Sequence, residues 1–210
     1  MGIQIDKRLI EVTPGSFIYE FRNSLSDESC KNIIERFENS EDDHYEGRVG
    51  QNFTKNADVK KSTDMVISGK DEWKDVDELF FTSLSKALSA VKKEFDFFSG
   101  PFKDIGYAVQ RTNVGEYFHW HIDSGSHQFS DRQLVAIWYL NNVEGPGGET
   151  EFLNQNVKIK PETGKLILFP PFWTHEHRGV TLQNGVKYIA TTWIVSVSYT
   201  HLRAHETGRN

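Results

Sequence analysis

The sequence predicts an α+β protein in which a double-stranded β-helix, or jelly roll, is backed by N-terminal helices. Apolar residues recur at helical spacing only in the first half of the chain, whereas short β-rich runs punctuated by Gly, Pro and Asn fill the part after Asp104. Helices followed by many short strands are typical of this class. A chain of 210 residues fits one compact unit, with residues 1–103 as helical and edge-strand support and residues 104–196 as the jelly-roll core.

Two amphipathic helices are predicted in the N-terminal part. The first runs from Asp27 to Asn39, because Ser26 is a suitable N-cap and Glu28 complements the positive end of the helix dipole. The second is marked by an apolar face whose members are three or four residues apart: Phe80, Leu84, Leu88, Val91 and Phe95. The polar stretch between the helices, from Ser40 to Lys70, predicts loops or an edge strand.

Four β-rich runs predict the strands of the core. They are Gly106 to Arg111, Gln133 to Leu140, Lys165 to Phe169 and Val186 to Val195. Turn signals lie between them. Asn184-Gly185 is typical of a two-residue hairpin turn, and Gly147-Gly148 predicts a turn with unusual backbone angles.

Composition argues against several function classes. The net charge is -6 and the 24 Lys and Arg residues are scattered along the chain. Both observations disfavour a nucleic-acid-binding surface, which would need clustered cations to neutralise phosphates. No apolar run approaches the roughly 18 residues of a membrane span. Because the single Cys30 cannot form an internal disulfide and the Met1-Gly2 start lacks a signal-peptide pattern, we expect a cytoplasmic protein. The composition predicts no oligomeric state.

The last residues of the chain are considered apart from the predicted fold. Back-translation of the first part of the segment Val197 to Thr207 resembles a transposon end used in sequencing adaptors. This predicts that residues 197–210 are a non-native tail in a metagenomic sequence; an ordinary frayed terminus is the alternative. On either interpretation His201 and His205 are left out of the candidate metal ligands.

Candidate metal ligands lie in two short segments. His121 and Asp123 form a His-x-Asp motif, and on a strand residues i and i+2 project to the same face about 7 Å apart. Either His175 or His177, which follow the apolar run ending at Phe169, supplies a third ligand. Two His and one carboxylate leave coordination positions open and suit non-haem Fe(II), although these donor types also bind zinc.

Further segments surround these ligands in a characteristic order. They are Gly115 to Phe118, Trp138 to Asn141, Gly147 to Phe152, Lys160 to Gly164 and Phe169-Pro170. Together with the His-x-Asp motif, they resemble the prolyl 4-hydroxylase-like branch of the Fe(II)- and 2-oxoglutarate-dependent dioxygenases. The resemblance covers roughly Asp104 to Val195 and, more loosely, the Cys-bearing helix from Leu25 to Phe37.

This resemblance implies which residues hold the iron. In the family, a basic residue follows the second His ligand by about ten positions, and His177 with Lys187 fits that spacing better than His175. The implied iron ligands are therefore His121, Asp123 and His177. Lys187 is the implied cation for the far carboxylate of 2-oxoglutarate.

Three more positions are assigned through the resemblance alone. Tyr139 matches a position where relatives place a phenol against the same carboxylate, and Trp193 falls where the family has a Trp. Thr112, nine residues before the first His ligand, stands where relatives commonly carry a Tyr that contacts the cosubstrate. This departure implies that the cosubstrate pocket differs here.

The implied activity is hydroxylation of a C–H bond with Fe(II), 2-oxoglutarate and O2, with ascorbate as a reductant for oxidised iron. By analogy, a prolyl residue of a peptide or protein is the expected substrate. A free amino acid or another small molecule is the alternative substrate, and a non-catalytic, metal-binding jelly-roll module is the alternative from another class. No nucleic-acid or membrane partner is expected.

Strand parity adds two structural expectations. An uninterrupted hairpin at Asn184-Gly185 would place His177 and Lys187 on opposite faces, so the assignment requires a bulge, for example at Gly179, or a looser turn. His119 lies two residues before His121, so on a regular strand the two side chains share a face. We therefore expect His119 to point inward, as a neighbour of the site or as a structural histidine.

Overall fold

The computed structural model describes residues 9–50, 52 and 54–197. Almost all of the predicted non-native tail, and the Met1-Gly2 start, lie outside these residues. The described part contains two α-helices, α1 (Asp27–Glu38) and α2 (Lys74–Glu94). Its strands, in chain order, are β1 (Leu9–Glu11), β2 (Tyr19–Phe21), β3 (Tyr45–Glu46), β4 (Arg48–Val49), β5 (Thr54–Lys55), β6 (Lys60–Lys61), β7 (Thr63–Val66), β8 (Phe102–Asp104), β9 (Ala108–Thr112), β10 (Tyr117–His121), β11 (Arg132–Tyr139), β12 (Thr150–Phe152), β13 (Val157–Ile159), β14 (Leu166–Phe169), β15 (His177–Gly179) and β16 (Lys187–Ser196).

These strands form two antiparallel sheets and one small hairpin. The major sheet has the order β1-β2-β14-β11-β16-β9-β7-β3, and β8 also pairs with β16; the minor sheet has the order β13-β12-β15-β10-β6. Strands β4 and β5 pair with each other. Apolar side chains of both sheets share one buried cluster, which places the sheets face to face. The predicted α+β jelly roll is confirmed.

Alternation along β11 explains how the layers are held together. Leu134, Ala136 and Trp138 belong to the cluster that contains the helices, whereas Val135 and Ile137 belong to the cluster between the sheets. Successive side chains of a strand point to opposite faces, so one apolar strand serves both layers. Both helices therefore cover the outer face of the major sheet, away from the minor sheet.

The helix predictions are confirmed to within a few residues. The N-cap Ser26 accepts a hydrogen bond from the Ser29 backbone N–H at 3.1 Å, and Asn39 is the C-cap. Helix α2 contains most of the predicted apolar face, while Phe95 caps its end. No helix of the described residues is long and apolar enough to cross a membrane.

The N-terminal support also contributes strands to both sheets. Strands β1, β2, β3 and β7 extend the major sheet, and β6 joins the minor sheet. The polar stretch predicted as loops or an edge strand contains the short strands β3 to β7, and β3 is an edge of the major sheet. Sequence patterning could not resolve these strands because several of them are only two residues long.

The hairpin predicted at Asn184-Gly185 is wrong. Strand β15 pairs with β10 and β12 of the minor sheet, whereas β16 pairs with β9 and β11 of the major sheet. The chain crosses from one sheet to the other between them. Leu182 pairs instead with the segment before β10, since it accepts from the Gly115 N–H at 2.8 Å and donates to Glu116 O at 3.1 Å. The looser connection makes a bulge at Gly179 unnecessary.

Candidate active site

Two neighbouring strands of the minor sheet bring the three candidate ligands together. His121 ends β10, Asp123 follows two residues later, and His177 begins β15 directly opposite His121. The potential ligand atoms of the three side chains all lie within 4.8 Å of one another. His177 Nε2 is 3.3 Å from Asp123 Oδ2. A single metal ion can therefore reach all three.

Both imidazoles are held in the tautomer that a metal needs. His121 Nδ1 lies 2.7 Å from His119 O, and His177 Nδ1 lies 2.9 Å from His175 O. A carbonyl oxygen only accepts, so each Nδ1 donates its proton and each Nε2 keeps its lone pair. Burial, together with the neighbouring His177, lowers the pKa of His121 to about 3, which keeps this ring neutral. Two imidazoles and a carboxylate fit Fe(II) with open positions.

A bulge in β10 sets the direction of the first ligand. Phe118 faces Gly179 and His121 faces His177, so three steps along β10 match two along β15. One extra residue reverses the alternation. Phe118 and His121 consequently share the inner face, with ring centroids 3.5 Å apart. The expected inward direction of His119 is wrong, because its side chain is exposed beside Tyr117.

Asp123 is positioned through its backbone. Its N–H donates to Pro171 O at 3.1 Å, and its carbonyl accepts from Arg132 Nη1 at 2.6 Å. The buried Arg132 guanidinium lies between the rings of Phe129 and Trp193, at 3.9 and 4.1 Å from their centroids. Sequence reasoning missed Arg132, because a lone Arg at the start of a strand has no distinguishing pattern.

His175 has a structural role. Its Nε2 donates to Ser16 O at 2.8 Å, and its Nδ1 accepts from the Thr174 hydroxyl at 2.9 Å. Both ring nitrogens are occupied, so the choice of His177 over His175 agrees with the geometry. The carbonyl of His175 nevertheless fixes the His177 ring, as described above.

The three ligands open onto a cavity of about 240 Å³ between the sheets. Lys187 and Thr112 lie on one wall, paired in register on β16 and β9. Lys187 is 5% exposed and donates to Gly148 O at 3.1 Å. Among the described residues, no carboxylate lies within ion-pair distance of its ammonium. Burial lowers the pKa of Lys187 to about 8, with Glu149 opposing and Lys60 reinforcing the shift.

The unusual backbone angles predicted at Gly147-Gly148 are confirmed, and they help to position Lys187. Both residues have positive φ angles, 86° and 80°. A Cβ on Gly147 would lie only 2.2 Å from the backbone oxygen of Thr181. Glycine is therefore required for the close approach that presents the Gly148 carbonyl to Lys187.

The direct contact predicted for Tyr139 is corrected by the structure. Tyr139 is fully buried, and its hydroxyl donates to Thr150 Oγ1 at 2.7 Å. Thr150 on β12 forms the wall of the cavity, whereas Tyr139 lies behind it in the core between the sheets. Trp193 does line the cavity, and its buried Nε1 has no hydrogen-bond partner among the described residues.

Similarity to known proteins agrees with this geometry. Residues 107–195 match the 2OG-Fe(II) oxygenase superfamily. Over 160 residues the chain is 31% identical to a protein of Acanthamoeba polyphaga mimivirus named "Putative prolyl 4-hydroxylase", and the match covers 65% of each chain, just under two thirds of that relative's length.

Solved structures share the fold at low sequence identity. The viral collagen prolyl hydroxylase of Paramecium Bursaria Chlorella virus-1, solved with 2OG, gives a TM-score of 0.66 at 23% identity over 90% of this chain and 100% of that one. A Trichoplax adhaerens prolyl hydroxylase, solved with a hypoxia inducible factor peptide fragment, gives 0.73 at 16% identity over 92% and 89%. Residues 107–195, the segment that matches the 2OG-Fe(II) oxygenase superfamily, contain His121, Asp123, His177 and Lys187, in agreement with the family expected from the sequence.

Proposed function

We propose that this protein is an Fe(II)- and 2-oxoglutarate-dependent dioxygenase that hydroxylates a C–H bond, with a prolyl residue of a peptide or protein as the substrate. One observation carries the proposal: two imidazoles and a carboxylate converge in a cavity whose wall holds a buried lysine without a carboxylate partner among the described residues. A purely structural metal site would require the three ligands but not the buried Lys187.

His121, Asp123 and His177 are the proposed iron ligands. When bound, Fe(II) with 2-oxoglutarate and O2 supplies hydroxylation of the substrate, with succinate and CO2 as coproducts. The protein fixes both rings through the carbonyls of residues 119 and 175 and holds Asp123 through Arg132. Ascorbate is the proposed reductant for iron that oxidises without turnover, by analogy with the family.

Lys187 is the proposed partner of the far carboxylate of 2-oxoglutarate. The same cavity is also lined by the apolar side chains of Val135, Ile137 and Ile189, and an apolar lining keeps water away and strengthens a charge-assisted hydrogen bond. Thr112 and Thr150 line the same cavity and offer neutral hydroxyl donors. Thr150 is in turn oriented by Tyr139, which gives that residue a supporting role.

The substrate class is proposed from the relatives. The mimivirus protein carries a prolyl 4-hydroxylase name, and the Trichoplax enzyme was solved with a peptide fragment. We propose a cytoplasmic location as well, supported by the single, buried Cys30 thiol.

Mass spectrometry tests the proposed reaction. Purified protein with Fe(II), 2-oxoglutarate, ascorbate and O2 is expected to add one oxygen atom to a proline-containing peptide and to release an equivalent amount of succinate. Omitting 2-oxoglutarate is the control. If free amino acids gain oxygen while every peptide stays unchanged, the peptide assignment is wrong but the oxygenase assignment stands.

We predict a pH-dependent affinity for 2-oxoglutarate. The pKa of Lys187 is lowered to about 8, mainly by burial, so the ammonium loses its proton as the pH rises through that value. Because the cosubstrate requires the charged form, its KM should be constant below the pKa and rise by up to about tenfold per pH unit above it. Steady-state succinate release across this range measures the effect, and a KM that falls with rising pH would refute the role of Lys187.

A further inference from the structure

The cavity is strongly cationic although the chain is acidic overall. The net charge is -6, yet the described residues that line the cavity include only one carboxylate, Asp123. Five cationic side chains line it: Arg48, Lys60, Lys61, Arg132 and Lys187. The lining of the cavity therefore carries an excess of positive charge.

Three of these cations already have a partner or a proposed role. Lys60 is buried and pairs with Asp64 at 2.6 Å. Arg132 donates to the carbonyl of Asp123. Lys187 is the proposed partner of the cosubstrate. These three cations are therefore not assigned to the recognition of substrate residues that lie outside the cavity.

Arg48 and Lys61 remain. Both side chains are exposed, and they lie on β4 and β6, outside the jelly-roll core. The Arg48 guanidinium lies 5.0 Å from the centroid of the Tyr45 ring, and the Lys61 ammonium lies 5.6 Å from that of Tyr117. Among the described residues, no carboxylate is within ion-pair distance of either cation. Aromatic faces thus hold two unneutralised cations at the cavity mouth.

Nearby acidic side chains do not cancel these charges. Glu46, on β3, forms an ion pair with Lys55 of the β4–β5 hairpin. Asp58, on the turn before β6, is exposed and does not line the cavity. Opposite charges on a partner are therefore the complement that this surface lacks.

We propose that the substrate is an acidic peptide segment, in which carboxylate side chains flanking the target residue contact Arg48 and Lys61. This rests on the proposed function and names its substrate class. A peptide is favoured over a free amino acid because the two cations are exposed at the mouth. The carboxylate of a free amino acid lies within a few bonds of the reacting carbon, so it would need a cation deep in the cavity, near the metal ligands. Each cation there already has a partner or a proposed role.

Peptide binding and turnover test this directly. Three short peptides share a central proline and differ only in flanking residues, which are Glu, Gln or Lys. We measure the Kd of each by fluorescence anisotropy on the full chain, and kcat/KM by oxygen gain. The Glu peptide is expected to bind about three- to tenfold more tightly than the Gln peptide at low salt, with the Lys peptide weakest, and added NaCl should shrink the difference.

Charge reversal at the mouth provides the matched comparison. The variant Arg48→Glu/Lys61→Glu should lose the preference for Glu or change it to one for Lys. The control Lys86→Glu/Lys93→Glu, which makes the same change on exposed positions of α2, should keep the wild-type order.

The outcomes separate this inference from the proposed function. Equal affinity for the three peptides, an unchanged order in the mouth variant, or faster turnover of a free amino acid than of any peptide would overturn the acidic-peptide proposal. Succinate release and oxygen gain with no charge preference would leave the oxygenase function intact. Acidic-peptide binding without any 2-oxoglutarate turnover would instead contradict the enzyme assignment alone.

Discussion

Replacing His121 with alanine is expected to abolish Fe(II) binding and succinate release together. His121 supplies one of the three ligand atoms that lie within 4.8 Å of one another, and the two remaining donors cannot hold the ion in a fixed geometry. Even changes outside the ligand set cost 10- to 100-fold in affinity or activity, so we expect a loss greater than about a hundredfold. Metal content after dialysis and succinate release measure it.

His119→Ala is the matched control for that experiment. This variant also removes an imidazole, two positions earlier in the chain, but it keeps the His119 backbone carbonyl that orients the His121 ring. Because the His119 side chain is exposed and points away from the cavity, Fe(II) binding should stay close to that of the wild type. Fe(II) retention by His121→Ala, or equal losses in both variants, would remove His121 from the ligand set.

Replacing Lys187 with methionine should raise the KM for 2-oxoglutarate by about 10- to 100-fold. A charge-assisted hydrogen bond in a dry site contributes roughly 1.5–3 kcal/mol, which corresponds to that range. Methionine fills a similar volume without the charge, so the loss reports the ammonium rather than a new cavity. Initial rates of succinate release at varied 2-oxoglutarate concentration give the KM.

The same variant should not lose stability. The wild-type ammonium is buried without a carboxylate partner among the described residues, and its removal relieves a desolvation penalty. We therefore expect unchanged Fe(II) affinity and an unchanged or higher Tm. A lower Tm with an unchanged KM would assign Lys187 a structural role instead.

The fold class and much of the ligand set were predictable because they depend on local patterns. Residues 134–139 alternate between the two clusters as a buried strand should, and the Ser26 cap marks the start of α1 within one residue. The His-x-Asp motif follows from strand geometry. The choice of His177 depended on the resemblance to a family, and the occupied ring nitrogens of His175 now give it a physical reason.

What failed depends on contacts distant in sequence. The bulge that turns His119 outward arises from the pairing of β10 with β15 and leaves no mark in the local alternation. The connection at Asn184-Gly185 has hairpin residues, but its flanking strands join different sheets. Tyr139 points toward the site, and only the position of β12 reveals that Thr150 stands between it and the cavity.

Cations at the cavity mouth escaped prediction for the same reason. Arg48 and Lys61 lie on strands of two residues in a polar stretch, far from the His-x-Asp motif in sequence. Both residues line the cavity because β6 joins the minor sheet and β4 also borders the cavity.

Anaerobic titration of the purified protein with Fe(II) and 2-oxoglutarate tests the central claim most directly. Cosubstrate that chelates iron held by His121, Asp123 and His177 produces an iron-to-oxoglutarate charge-transfer absorption band. We predict that the band forms with saturable dependence on both components, is absent in His121→Ala, and requires more 2-oxoglutarate in Lys187→Met. Absence of the band in correctly folded wild-type protein would contradict the oxygenase assignment.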